Sequence, residues 1–224
     1  MIQIAIDGPA GAGKSTAAKE LARRLHINYM DTGAMYRAMA YALMQRGIDI
    51  ADHAAVEKEL DSIDIAVQYG EQGQRVLANG TDVTDFIRTP EVSKGASDVA
   101  VIPAVRLKLV KTQQETAEKY DIVMDGRDIG TYVLPDAKVK FFITASSAER
   151  AKRRYLEWKA AGIQKDIGEL EQEIISRDKT DSEREFAPLR QAEDAILLDT
   201  TDMGIEDVLQ AVIRRVREVY GDVL

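Results

Sequence analysis

Residues 8–15 read Gly8-Pro9-Ala10-Gly11-Ala12-Gly13-Lys14-Ser15, and no other stretch constrains the fold as strongly. The spacing is G-x-x-x-x-G-K-[ST], which requires a strand running into a loop and the loop into a helix. An apolar run at 2–6 supplies the strand, and 14–25 carries Ala18, Leu21, Ala22 and Leu25 at helical spacing. Glycines let the backbone turn so that several N–H groups converge on one anion. Lys14 adds a mobile positive charge, and Ser15 offers a hydroxyl to Mg²⁺ at the helix N-terminus. The stretch reads as a nucleoside triphosphate site, the bland alternative being a glycine-rich turn that binds nothing.

Downstream, strand and helix alternate. A short strand at 27–30 leads through Asp31-Thr32-Gly33 into a helix at 34–45 with Met35, Ala38, Met39, Ala42 and Leu43 on one face, stopped by Gly47. From 49 to 88 the pattern changes: Asp52 caps a helix running to Leu60, and strands are expected at 63–69, 74–78 and 82–87. Gln72-Gly73 and Asn79-Gly80 are the turns between them. An antiparallel meander of this kind reads as an insertion in a parallel architecture. Helices follow at 90–101 and 103–120, each opened by a proline suited to a first helical turn. A buried strand at 122–124 ends in Asp125-Gly126-Arg127-Asp128, at the strand end where open α/β sheets bind ligands. The remaining pattern is a strand at 139–145, helices at 147–159 and 167–179 separated by Ala161-Gly162, a strand at 195–198, and a helix at 205–220. In the last two helices the expected core stripes are Ile167, Leu170 and Ile174, and Ile205, Val208, Leu209, Val212, Ile213 and Val216. The fold expected is α/β: a P-loop NTPase-type three-layer arrangement with a parallel sheet of about five strands covered by helices.

The formal charge of -8 argues against a broad surface for nucleic acid or anionic membrane, both of which need an excess of Lys and Arg. Cysteine is absent, which removes disulfide and thiolate chemistry and fits a reducing cytosol. The first residues lack a signal-peptide pattern, and no apolar stretch approaches bilayer length. A cytoplasmic protein is expected, and nothing in the sequence demands a dimer.

A phosphate loop fixes the donor and leaves the reaction open. Arg37, Arg127, Arg177 and Arg184 lie in separated loops and helices, and the guanidinium fork matches phosphate oxygens better than an ammonium does. Each of these arginines, taken alone, also reads as an ordinary solvated surface charge.

The stretches Gly8 to Thr16, Asp31-Thr32-Gly33-Ala34-Met35-Tyr36-Arg37, Asp125-Gly126-Arg127-Asp128-Ile129-Gly130 and Arg177-Asp178-Lys179-Thr180-Asp181 resemble the bacterial cytidylate kinases. The segment with Asn79-Gly80-Thr81-Asp82-Val83-Thr84 resembles that family's extra acceptor-domain segment, and the similarity runs along nearly the whole chain. The resemblance implies a single kinase domain over 1–224, an acceptor-binding insertion at 49–88 and a helical lid at 150–190. It implies that Gly8, Pro9, Ala10, Gly11, Ala12, Gly13, Lys14, Ser15 and Thr16 hold ATP, with Mg²⁺ at Ser15 and, through water, at Asp125. Arg37, Arg127 and Arg184 would grip the acceptor phosphate and, with Lys14, carry catalysis. Ser97, Arg106 and Asp128 would face cytosine with Thr32 and Tyr36 beside them, and Arg177 and Asp181 would reach the ribose.

Bland readings stand next to several of these roles. Ser97 is equally a helix-surface hydroxyl, Asp128 and Asp125 are equally turn or cap carboxylates, and Arg106 and Asp181, taken alone, read more readily as helix-surface charges. Arg150, Arg153 and Arg154 either contact the triphosphate or form a solvated helix face with pairs such as Glu149 and Arg153 at i,i+4.

Cytosine offers an N4 amine beside N3 and O2 acceptors, which a carboxylate and a guanidinium complement; uracil reverses part of that pattern. The expected substrates are therefore CMP and dCMP in preference to UMP, small molecules with no nucleic-acid or membrane partner. A monophosphate is already ionised, so it attacks without a general base. This agrees with His26 and His53 lying outside every motif. Two alternatives remain at this stage: a kinase of the same fold with another small acceptor, and a nucleotide-binding regulatory module.

Overall fold

The computed structural model describes residues 1–70, 73–160 and 162–221. In chain order the elements are β1 (Gln3–Asp7), α1 (Lys14–Leu25), β2 (Asn28–Asp31), α2 (Thr32–Gln45), α3 (His53–Glu59), a 3₁₀ turn (Leu60–Ser62), β3 (Ile65–Gly70), β4 (Gly73–Ala78) and β5 (Thr81–Asp82). Then come α4 (Pro90–Val99), α5 (Pro103–Ala117), β6 (Ile122–Gly126), a π turn (Ile129–Val133), β7 (Val139–Thr144), α6 (Ser147–Ala160), α7 (Ile167–Glu183), β8 (Ile196–Asp199) and α8 (Ile205–Tyr220). The main sheet has five strands in the order β2-β6-β1-β7-β8, as expected, and a small sheet has the order β3-β4-β5.

Two compact units divide the chain: Met1 with Asn28–Ile122, and Ile2–Ile27 with Val123–Leu224. In the second unit β1 pairs in parallel with β7, Ile4 opposite Val139, and β7 with β8, Phe141 opposite Ile196. In the central strands β1 and β7 the side chains of Ile4, Ala5, Ile6, Val139 and Ile143 are sealed from solvent, with the buried Lys140 interrupting the apolar run of β7, whereas the edge strand β8 leaves Ile196 and Leu197 exposed. In α1 the buried positions Ala18, Leu21, Ala22 and Leu25 are those that the spacing picks out. The stripe of α8 is buried from Val208 to Val216, but Ile205 is 48% exposed; Ile167 is likewise 45% exposed at the start of α7. Both sit in a first helical turn, where the chain is still approaching the core.

In the first unit β3 and β4 form an antiparallel hairpin, with Ile65 opposite Ala78 and Gly70 opposite Gly73. Asn79 and Gly80 both take positive φ, as that turn requires. Gln72 of the other expected turn, and Ala161 of the expected helix break, lie outside the described residues. The strand expected at 82–87 is only the two-residue β5. The Asp82 carboxylate accepts the Thr84 N–H at 3.0 Å, and Thr84 Oγ1 takes the Val76 N–H at 2.8 Å. Side-chain oxygens thus replace the main-chain ladder and the chain turns away. Helix α4 stops at Val99, short of the expected 101, because Pro103 holds Ile102 in extended backbone. Among the described residues no helix is long and apolar enough to cross a membrane.

Candidate functional site

The loop between β1 and α1 has the backbone its glycines permit. Gly8, Gly11 and Gly13 all have φ between 74° and 143°. A Cβ on Gly8 would lie 1.9 Å from the Ile143 carbonyl oxygen, so the loop enters hard against β7. Gly13 caps α1 in the left-handed conformation without a side-chain bond, and no acidic residue occupies the first helical turn. The N-terminus of a 12-residue helix is therefore left to an anion. Pro9, Ala10 and Ala12 are buried as the loop's packing face, whereas Ser15 and Thr16 are exposed at the helix start.

Lys14 is buried, and its Nζ donates to the Pro9 carbonyl at 2.6 Å, folded back along the loop. Burial, and then repulsion from the Arg127 guanidinium, pull its ammonium down to about 7, with Asp125, Asp7 and Asp181 opposing. An anion placed beside it would raise it again. Ser15 Oγ donates to Asp125 Oδ2 at 2.7 Å, joining the loop to the end of β6. A hydroxyl and one carboxylate are a sparse oxygen set, and among the described residues no group of three His, Cys, Asp or Glu could hold a metal. That set suits Mg²⁺, which takes one or two protein oxygens and completes its shell with water and phosphate.

A second cluster lies on the turn after β6 and on α7. Arg127 Nε donates to Asp181 Oδ2 at 2.7 Å, and Arg184 lies 3.4 Å from Asp128 Oδ1 and 3.8 Å from Asp181 Oδ1. Burial alone would raise Asp181; Arg127, Arg177 and Arg184 together outweigh it and hold the carboxyl below the usual carboxylate range. Arg127, Asp128, Arg177, Asp181 and Arg184 are thus brought together as one charge network. Asp128, Asp181 and Arg184 are buried, which removes the surface-charge reading of Asp181 and Arg184; Asp128 makes no side-chain cap bond to the turn it precedes.

The arginines of α6 divide. Arg150 is buried: Nε donates to the Ala145 carbonyl at 2.8 Å, Nη1 to the Ala10 carbonyl at 3.1 Å, and Nη2 pairs with Asp178 at 2.7 Å. It braces the phosphate loop from outside. Arg153 pairs with Glu149 at 3.1 Å, as the helical spacing suggests, but also donates to the Thr200 carbonyl at 2.7 Å. Arg154 lies over the Trp158 ring, 5.0 Å from its centroid.

In the first unit Arg37 Nη2 bonds Asp31 Oδ2 at 2.6 Å, while Asp31 Oδ1 caps α2 through the Ala34 N–H. One carboxylate therefore starts the helix and aims the arginine that the helix carries. The hairpin is tied to the same point, since Gln74 accepts the Asp31 N–H at 2.6 Å and donates to the Asp31 carbonyl at 3.2 Å. Arg106 is buried on α5; its Nη1 donates to the Ala100 carbonyl at 3.2 Å and its guanidinium lies over Tyr36, 5.4 Å from the ring centroid. This corrects the helix-surface reading of Arg106. Thr32 is buried in the first turn of α2, and Ser97 is half-buried on α4.

Sequence reasoning gave the Asp31 carboxylate no role of its own within its motif and passed over Gln74 and Arg88, the last 3.7 Å from Asp31. It also passed over Asp7, a buried carboxylate that ends β1 directly before Gly8. An acid closing an apolar strand was the available signal.

Set against known proteins, the cytidylate kinase family model matches residues 4–218. A cytidylate kinase of Bacillus cereus is 50% identical over 220 residues, covering 98% of this chain and 98% of that protein. Among solved structures, an uncharacterised protein of Eubacterium ventriosum superposes with TM-score 0.51 at 15% identity, covering 99% of each chain. An unliganded sugar kinase from a Janibacter species gives TM-score 0.50 at 12% identity, over 100% of this chain and 98% of that one. The structural likenesses speak to the fold alone.

Proposed function

The chain belongs to the cytidylate kinase family, and from that premise we propose that it transfers the γ-phosphoryl group of ATP to CMP or dCMP, giving ADP and CDP or dCDP. It is a nucleoside monophosphate kinase, a phosphotransferase, and ATP is the donor that the family implies. The observation that carries the substrate assignment is the family match over residues 4–218.

Gly8 to Thr16 hold the ATP phosphates at the open N-terminus of α1. Arg37, Arg127 and Arg184 take the acceptor phosphate; Ser97, Arg106, Asp128, Thr32 and Tyr36 serve the cytosine, and Arg177 and Asp181 the ribose. Membership in the family supports reading them as parts of one reaction. The segment 49–88 acts as the acceptor-binding insertion and 150–190 as the lid, within one kinase domain. Arg153 and Arg154 reach the triphosphate from the lid, and Arg150 supports the loop that cradles it.

In the chemical step an oxygen of the CMP phosphate attacks the γ-phosphorus, the new P–O bond forms, and the bond to the bridging oxygen of ADP breaks. The acceptor is already ionised, so no side chain removes a proton. Lys14 and the arginines bring two anions together and offset charge on the phosphoryl group in transit. Ser15 and, through water, Asp125 would hold Mg²⁺, which when bound would supply further charge neutralisation. The partners are small nucleotides only, and the chain works as a cytoplasmic monomer away from nucleic acid and membrane, a reading that the charge of -8 supports.

Supplying ATP and Mg²⁺ with each nucleoside monophosphate in turn, and following ADP, tests the reading. Rapid turnover with CMP and dCMP and slower turnover with UMP is expected. Rapid turnover with AMP, UMP or dTMP and none with CMP overturns it.

A further inference from the structure

Asp7 is a carboxylate without a part in the mechanism above, yet it is 3% exposed at the base of the phosphate loop. Its Oδ1 accepts the Ile129 N–H at 2.8 Å and its Oδ2 the Gly130 N–H at 2.7 Å. Those amides begin the π turn that directly follows Arg127 and Asp128. The turn is closed farther on by the Tyr132 and Val133 N–H groups on the Asp128 carbonyl, at 2.9 and 3.1 Å. The first N–H groups of any helical turn have no partner inside it. An aspartate at the start of such a turn ordinarily accepts one of them with its own side chain. Asp128 occupies that position and makes no side-chain cap bond; its carboxylate is turned to Arg184.

We propose that Asp7 is a positioning residue that caps this turn from a different strand, so that the Asp128 carboxylate stays turned to Arg184 and, with the adjoining Arg127, is held toward the acceptor nucleotide. The proposal rests on the assignment of Arg127 and Asp128 to the acceptor. The fit is close: a Cβ on Gly130 would lie 3.3 Å from Asp7 Oδ2 and 3.1 Å from Lys140 Cδ, so the carboxylate seats directly on bare backbone. It also carries a cost. Burial raises the Asp7 carboxyl to about 7 even though both N–H bonds oppose the rise; Asp128 adds repulsion and Lys14 attraction. The titratable groups acting on it are therefore Lys14 from α1 and Asp128 from the turn, while the stem of Lys140 lies against the same Gly130 and its ammonium pairs with Asp194. Protonation replaces one acceptor oxygen with a donor, so the two-pronged cap holds fully only in the ionised form.

Asp7→Asn tests this, because the amide keeps the shape and can accept only one N–H. Exchange of the Ile129 and Gly130 amides at pH 8 is expected to quicken about tenfold or more. The KM for CMP should rise by about tenfold or more while the KM for ATP moves by less than about threefold, which a merely structural defect would not separate. Between pH 8 and 6 the wild type should lose affinity for CMP more steeply than Asp7→Asn. The CMP phosphate titrates equally for both, so the difference between the profiles is the readout. Unchanged exchange at 129 and 130, or equal effects on ATP and CMP, overturns the proposal. Should Asp7→Asn fail to fold, the wild type decides: protection of these two amides, corrected for intrinsic exchange, falls from pH 8 to 6 if Asp7 caps the turn and stays flat if it does not. Amide exchange is independent of the substrate, so a wild type that ignores CMP but shows these effects removes the functional assignment and keeps the cap.

Discussion

Replacing Lys14 with methionine should make the protein more stable and nearly inactive. The ammonium is buried and, among the described residues, hydrogen-bonded to the Pro9 carbonyl at 2.6 Å, and burial followed by Arg127 brings it from 10.5 to about 7. At about 1.4 kcal/mol per pH unit, keeping it charged at pH 6 costs the folded state about 5 kcal/mol. Methionine keeps the stem's packing and removes that cost, but leaves the Pro9 carbonyl without its donor, a loss of about 1–3 kcal/mol. The balance is a gain of about 2–4 kcal/mol, or roughly 5–15 °C in Tm for a chain of this size. The pH dependence fixes the sign. A base whose pKa falls on folding contributes its full stability above the unfolded value of 10.5, and loses it as pH drops toward about 7. The advantage of Lys14→Met should therefore be greatest at pH 6 and vanish or reverse near pH 10.5. Thermal unfolding without nucleotide at the two pH values, beside turnover with ATP and CMP, reads both effects; turnover should fall at least about 100-fold. A variant less stable than wild type at pH 6, or a gap unchanged at high pH, refutes the reasoning.

Other perturbations separate the remaining roles. Asp125→Asn, which keeps a partner for Ser15 Oγ, should raise the Mg²⁺ concentration needed for half-maximal turnover by about tenfold or more; an unaltered Mg²⁺ titration would leave Asp125 as a loop brace only. Asp128→Ala should cost more activity with CMP than with UMP, and an equal loss removes it from base recognition. Asp178→Asn frees Arg150 from a 2.7 Å ion pair beside the Ala10 carbonyl, so the KM for ATP should rise several-fold, roughly threefold to tenfold; an unchanged KM would show that the loop keeps its shape without the brace.

How far the sequence could be read depended on how local each cause is. Helices α1 and α8 begin and end where their apolar spacing and flanking glycines place them, because those signals lie within a few residues. The Asp31 and Arg37 motif was visible for the same reason, six positions apart on one cap and helix. Asp7 was not: its partners lie 122 and 123 residues away, and a π turn has no spacing of its own. Arg150 was weighed between a triphosphate contact and a solvated face. Only the packing of α6 against the loop turns it toward the Ala10 carbonyl. At 82–87 Val83, Thr84, Phe86 and Ile87 are residue types that favour a strand, yet the Asp82 and Thr84 side chains capture amides along it.

The central claim is that this chain moves a phosphoryl group from ATP to the phosphate of CMP. Its most direct test follows the fate of ATP labelled in the γ-phosphate, incubated with Mg²⁺ and CMP. The label should appear in the β-phosphate of CDP, with one ADP formed for each CDP. Label released only as free phosphate, with CMP unchanged, would contradict the claim and point to a nucleotide-hydrolysing module instead.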